Sequence, residues 1–341
     1  MLALLLLLVF AVCTPGLAQA SPDPQRALVT LECLWDRAEH QAFTDICRFG
    51  DRLYVAFREG ESHVYGRDGV VRILSSADGF VWRSAAVIEE EGVDLRDPKL
   101  SVSPDGRLMV VMGGSVYDGR RLMSRRPKVS FSDAQGRRFS ASTNVTIDPA
   151  IAGSDDWLWR VTWRGDRGYG VVYQVGDEEW ATHLVSTEDG LRYRHVSTFE
   201  LDGQPNETTL RFQRDGTMLA LVRREAGDRR AAIGRAEAPY TEWSWSYLPE
   251  ALGGPNFVVL ADGSLLAAGR EYADDATRTV IASMGSDGAW KPLLRLPSGR
   301  DTSYPGMLVE GDRLWFSYYS GHEGKTSIYL ARLRLPSLLA R

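Results

Sequence analysis

Six stretches of this chain repeat one plan: a short strand, a turn containing Gly or Asp, and a second apolar strand. They are "TDICRFGDRLYVAFREG" (44–60), "DPKLSVSPDGRLMVVMGG" (97–114), "WLWRVTWRGDRGYGVVYQVG" (157–176), "NETTLRFQRDGTMLALVRRE" (206–225), "GPNFVVLADGSLLAAGRE" (254–271) and "SYPGMLVEGDRLWFSYYSG" (303–321). Asp-Gly and Gly-Asp between alternating runs are strong hairpin signals, because these residues accept the backbone angles of a tight turn. The second arms open at Leu53, Leu108, Gly168, Met218, Leu265 and Leu314, at intervals of 47 to 60 residues. A period of about 50 residues holds one four-stranded antiparallel sheet, so the repeat predicts an all-β chain folded as a six-bladed β-propeller. The N-terminal "ALVTLECLW" (27–35) is expected to pair with "SIYLARLRL" (327–335), closing the ring and removing its open edges.

Composition narrows the function. The chain has 341 residues and a formal net charge of −5, so no basic field points to nucleic acid or an anionic membrane. Residues 1–20 form an apolar run with a Pro-Gly break and small residues at Ala18 and Ala20. That pattern predicts an export signal, too short to span a bilayer, with Ser21 as the mature start and a secreted or periplasmic product. The propeller domain is then 28–335, expected as a monomer that does not insert into the membrane. An oxidising compartment permits a disulfide between Cys33 and Cys47, although two separate thiols are the simpler reading. No Cys or His spacing implies a metal or another cofactor, and His63 and His322 read as loop or rim residues.

In a propeller, two positions per repeat face the centre. The first set is Asp45, Asp97, Arg160, Glu207, Asn256 and Tyr304; the second is Arg58, Gly113, Tyr173, Arg223, Arg270 and Tyr319. Three arginines at one structural position repel one another unless an anion answers them, which predicts an acidic ligand. Tyr304 would enter the same pocket, where a phenol needs a neighbouring base to act as a nucleophile; Glu207 is the natural candidate.

Between the hairpins, "SSADGFVW" (75–82) and "STEDGLRY" (186–193) share a Ser/Asp/Gly turn followed by an aromatic residue. These turns resemble the Asp boxes of sialidase-type propellers, with one residue fewer between Asp and Gly. Over roughly 28–335 the chain resembles a bacterial sialidase-family (BNR or Asp-box) glycoside hydrolase. The resemblance implies Arg58, Arg223 and Arg270 as a carboxylate-binding triad, with Arg224 a rival to Arg223. It also implies Tyr304 as nucleophile, Glu207 as its base, and Glu323 as the residue orienting a triad arginine. The family's first arginine belongs at the start of the first inner strand, where this chain has Asp45, and its acid/base aspartate has no clear counterpart. Asp97 stands in the second repeat where Glu207 stands in the fourth and is the expected acid/base, with Asp45 and Glu61 as alternatives. The implied activity is removal of a terminal acidic sugar, sialic acid or similar. A non-catalytic propeller binding acidic glycans, or a lyase or hydrolase of uronic-acid polymers, remains open.

Overall fold

The structure, a computed structural model, describes residues 27–176, 180–273 and 276–340. The export signal over 1–20 lies outside the described residues, and none of the described helices is long and apolar enough to cross a membrane.

Strand β1 (Leu28–Trp35) precedes the first repeat, and β2 (His40–Phe49), β3 (Arg52–Gly60), β4 (Val70–Ser76) and β5 (Arg83–Ile88) pair in that order. The same order recurs in β6 (Asp94–Val102), β7 (Leu108–Asp118), β8 (Arg121–Phe131) and the short β9 (Thr143–Asn144). Next come β10 (Thr146–Ile147), β11 (Asp156–Leu158), β12 (Thr162–Arg164), β13 (Arg167–Gln174), β14 (Ala181–Thr187) and β15 (Arg192–Thr198). Their order is β10-β15-β14-β13-β11, with β12 also paired to β13.

A seven-stranded array follows: β16 (Pro205–Phe212), β17 (Met218–Arg224), β18 (Arg230–Ala236), β19 (Ser244–Val259), β20 (Leu265–Tyr272), β21 (Thr277–Met284) and β22 (Trp290–Leu296). Its middle strand serves two partners, because Ser244–Ala251 pairs with β18 and Leu252–Val259 with β20. The last strands, β23 (Thr302–Glu310), β24 (Arg313–Ser320) and β25 (Ser327–Arg334), join β1 in the order β1-β25-β24-β23; a short helix α1 (Leu335–Leu339) ends the described chain. The antiparallel pairing of β1 with β25 runs from Leu28↔Leu333 to Trp35↔Ile328.

Successive sheets stack face to face. Strand β2 packs on β6 and β23, β16 on β13 and β19, and β19 on β23. This stacking explains why β3 and β7 carry long apolar runs: Leu53–Glu59 and Leu108–Ser115 are buried on both faces. One apolar cluster, with Phe43, Trp157, Trp159, Tyr304 and Tyr319, lies where the inner strands meet.

The Ser/Asp/Gly turns staple the outer strands through local bonds. Asp78 Oδ1 accepts from the backbone of Phe80 and Val81, and Ser76 Oγ accepts from Gly79. Asp189 and Thr187 repeat the pattern on Leu191, Arg192 and Gly190. The capping hydroxyl in each turn sits one residue later than the leading serine of the sequence pattern. Cys33 and Cys47 are not bonded to each other; Cys33 is exposed, while burial pushes the Cys47 thiol up to about 12.

Candidate active site

The inner strands are irregular where they meet. Register slips fall between Ala42 and Asp45 in β2, Arg96 and Lys99 in β6, Pro205 and Thr208 in β16, Gly253 and Asn256 in β19, and Ser303 and Gly306 in β23. A bulge of this kind bends the strand and re-aims a side chain. Phe43 (φ 62°), Asp97 (φ 50°) and Tyr304 (φ 48°) adopt left-handed backbone there, a conformation uncommon for bulky residues and concentrated at functional sites.

The bulges bring Tyr304 and Glu207 together from different sheets. Tyr304 Oη donates to Glu207 Oε1 at 2.6 Å, and Arg223 Nη1 donates to Tyr304 Oη at 2.8 Å. The same Arg223 nitrogen lies 2.9 Å from Glu207 Oε2, which also accepts from Gly254 N at 2.9 Å. Gly254 is required at that spot: its φ is +56°, and a Cβ would stand 2.6 Å from Tyr304 Cγ. Glu225 holds the other end of the Arg223 guanidinium.

Arg270 flanks the phenol from β20, with Cζ 5.3 Å from the Tyr304 ring centroid. Its Nε donates to Thr302 O at 2.8 Å, and Nη2 donates to Tyr319 Oη at 2.9 Å and to Asp301 Oδ1 at 3.3 Å.

These contacts set the protonation states. Burial alone would raise the Glu207 carboxyl, but Arg223, the Tyr304 hydroxyl and Arg270 outweigh it and hold Glu207 below its ordinary value. Burial, then the Glu207 charge, pushes the Tyr304 phenol well above its usual 10, with Arg223 and Arg270 opposing. The result is a neutral phenol hydrogen-bonded to an ionised base.

Asp97 reaches the same cavity. It is buried, one carboxylate oxygen has no partner, and its nearest cation is Arg96 Nε at 3.9 Å. Burial raises its pKa against the pull of Arg96 and Lys99, which favours the protonated acid. Lys99 Nζ lies 4.5 Å from the Trp159 ring centroid, and burial lowers its pKa to about 8.

Other expected residues stand elsewhere. Arg58 is completely buried behind the site, donating from Nε to Asp94 Oδ1 at 2.8 Å and from Nη1 to Ser62 O at 2.7 Å. It does not line the cavity, so its charge is answered inside the protein. Arg224 points away from Arg223, bound to Asp202 and Asp228. Glu323 accepts from Tyr329 Oη at 2.6 Å, and the carboxylate that holds Arg270 is Asp301. Asp45 is a structural joint, accepting from Arg160 Nη1 at 2.6 Å and Leu100 N at 2.8 Å, and Glu61 caps its own loop at Arg67 N.

Beside Arg223 and Arg270 the cavity is lined by Arg96, adjacent to Asp97 and paired with Asp94 at 3.4 Å, and by Arg120 and Arg125. Strict strand alternation hides Arg96, since neighbours in a regular strand face opposite sides. His63 also lines the cavity, with Nδ1 at 2.6 Å from Asp301 Oδ2; His40 Nε2 approaches the same oxygen at 2.9 Å. These three ligand atoms lie within 4.8 Å of one another, close enough to share a metal ion, yet hydrogen bonding and the neighbouring Arg270 already account for the arrangement.

The whole forms a cavity of about 450 Å³, ringed by Arg96, Asp97, Glu207, Arg223, Arg270 and Tyr304. No known family profile and no curated protein matches this sequence. Solved structures do. Trypanosoma rangeli sialidase bound to the inhibitor DANA superposes with a TM-score of 0.66 at 12% identity, covering 86% of this chain and 55% of its own. An α-L-arabinofuranosidase from Fusarium graminearum bound to an iminosugar inhibitor gives 0.69 at 14%, covering 92% and 99%. The NanB sialidase of Streptococcus pneumoniae gives 0.69 at 9%, covering 90% and 70%. The chain thus spans about half the length of the trypanosomal enzyme and nearly all of the arabinofuranosidase. These likenesses define the fold class: the chain has the β-propeller fold of the sialidases and of this related arabinofuranosidase.

Proposed function

We propose that this chain is an exported sialidase-like exo-glycosidase that removes a terminal acidic sugar, working as a monomer on a six-bladed propeller. The cyclic packing of inner strands supports six blades, with β19 shared between the fourth and fifth and β1 completing the sixth. Residues 1–20 would direct export.

The observation that carries the reading is the 2.6 Å hydrogen bond from Tyr304 to Glu207 beneath Arg223 and Arg270. Tyr304 Oη attacks the anomeric carbon as Glu207 takes its proton, while Asp97 protonates the departing glycosidic oxygen. Water then attacks the tyrosyl glycoside with Asp97 as base and Tyr304 as leaving group, which retains configuration. A neutral phenol avoids the repulsion that a carboxylate nucleophile would meet from an anionic sugar, as in the sialidase exceptions to the two-carboxylate rule. Arg223 and Arg270 receive the sugar's anionic group and also stabilise the developing phenolate.

A glycan-binding protein without turnover is the second reading, because one propeller fold carries many unrelated functions. Hydrolysis of a fluorogenic α-sialoside by the purified protein, with Tyr304→Phe inactive but still able to bind, supports the enzyme. Binding without hydrolysis across a panel of acidic glycosides supports the second reading.

A further inference from the structure

The cavity wall formed by β7, β8 and β11 has no role in the proposed reaction, yet it gathers three buried polar atoms without partners. They are Ser115 Oγ, Arg125 Nε and Trp157 Nε1, and all three residues line the cavity. Ser115 and Arg125 stand directly opposite each other on the β7–β8 ladder. The Arg125 guanidinium lies 5.1 Å from the Trp157 ring centroid. Gly113 on β7 makes room for that indole, since a Cβ there would come within 2.4 Å of its ring.

Buried donors left unmatched are costly and uncommon in native proteins. This group is also one-sided in chemistry: the arginine and indole N–H can only donate, and the serine hydroxyl can donate too. A donor-rich wall matches a ligand rich in acceptors, and the arginine charge selects an anion among them. Among the described residues no carboxylate answers Arg125, in contrast to Arg96, Arg223 and Arg270.

We propose that Ser115, Arg125 and Trp157 form a second anion subsite, so that the ligand of this cavity carries two negative groups. Resting on the proposed function, one group meets Arg223 and Arg270, and the other meets Arg125. The second charge is a carboxylate of an adjoining acidic sugar or a sulfate ester on the same sugar. Either gives the ligand a second negative charge that a terminal sugar with one carboxylate on a neutral chain lacks.

Calorimetric titration of the full protein with inorganic sulfate tests the subsite without assuming any sugar. Two binding events are expected. Arg125→Met should remove one of them and Arg223→Met the other, while Ser115→Ala, a minimal change to the fold, weakens the Arg125 event several-fold. Failure to detect an event that Arg125→Met removes overturns the proposal, whatever happens at Arg223.

A second arm compares N-acetylneuraminic acid, its α2,8-linked dimer and its 8-O-sulfate. At least one dianion should bind about tenfold or more tightly than the monomer, a gain lost in Arg125→Met. A gain with the dimer alone identifies an adjoining sugar, and a gain with the sulfate alone identifies the same sugar. Equal binding of all three, or a gain that survives in Arg125→Met, overturns the proposal. If none of these sugars binds while sulfate still occupies the Arg125 site, the sialidase-like reading fails and the second subsite stands.

Discussion

At the scale of single residues, Arg58 and Arg223 occupy one position in the repeat but do different work. Arg58 is completely buried against Asp94, whereas Arg223 touches the phenol that the proposed reaction uses. Removing one partner of a buried ion pair leaves an uncompensated charge, so Arg58→Met should cost about 3–5 kcal/mol of stability, measured by denaturant unfolding. Arg223→Met should instead raise KM and lower kcat with a smaller change in stability. Glu207→Gln removes the proposed base and should lower kcat roughly 10²–10⁴-fold.

The pH dependence follows from the two buried carboxyls. In the proposed reaction Glu207 acts ionised, so activity should fall as pH drops through its depressed pKa; Asp97 acts protonated, so activity should fall as pH rises through its raised pKa. The expected kcat/KM profile is a bell whose alkaline limb disappears in Asp97→Asn assayed with an activated aryl leaving group. Retention of that limb would remove Asp97 from the acid role. The meeting of Tyr304, Glu207 and Asp97 in one cavity was legible in the sequence, because a fixed offset in a repeated hairpin carries them to one level. Where each guanidinium points was not, because it depends on which carboxylate a distant segment supplies: Asp94 on β6 for Arg58, and Asp301 just before β23 for Arg270.

At the scale of elements, the hairpins and the Ser/Asp/Gly turns are local, and local chemistry is readable along a chain. The bulges are not, since a register slip is settled by crowding between inner strands distant in sequence. Arg96 illustrates the consequence: regular alternation turns it away from Asp97, and the slip lets both reach the cavity. The third repeat departs further, its inner edge split into β11 and β12 around Arg160, which bridges to Asp45. The bulge in β19 offers a direct test. Gly254→Ala adds strain at a positive φ and places a methyl against the Tyr304 ring, while threatening the bond to Glu207. A shift of about 1 Å in a reacting group can cost about 10²-fold in rate. Gly254→Ala should therefore reduce kcat by roughly that factor, and a crystal structure should show Tyr304 displaced from Glu207. Unchanged kcat would mean that the phenol's position is not critical.

At the scale of the whole molecule, the N-terminal strand ties the end of the chain to its beginning. β1 covers the edge of β25, and Arg332 on β25 donates to Thr30 Oγ1 at 2.6 Å and to Gly79 O, in the turn after β4, at 2.6 Å. The guanidinium is buried and lies 4.2 Å from the Phe80 ring centroid, so one side chain joins the first and last sheets. Trp35 adds a bond from its indole to Glu59 on β3 at 2.5 Å. Deleting residues 1–35 would expose the β25 edge, strip Arg332 of the Thr30 and Glu32 contacts and unlink Trp35 from β3. One kcal/mol shifts the melting temperature of a large domain by about 2–4 °C, so losing several such contacts should lower it by roughly 10 °C or more. Activity should fall as well, because Tyr304 lies on β23 in the same sheet and β23 packs against β2. If the truncated chain melts where the full chain does and keeps its activity, the last sheet stands without β1, and closure through β25 has no part in holding the phenol in place.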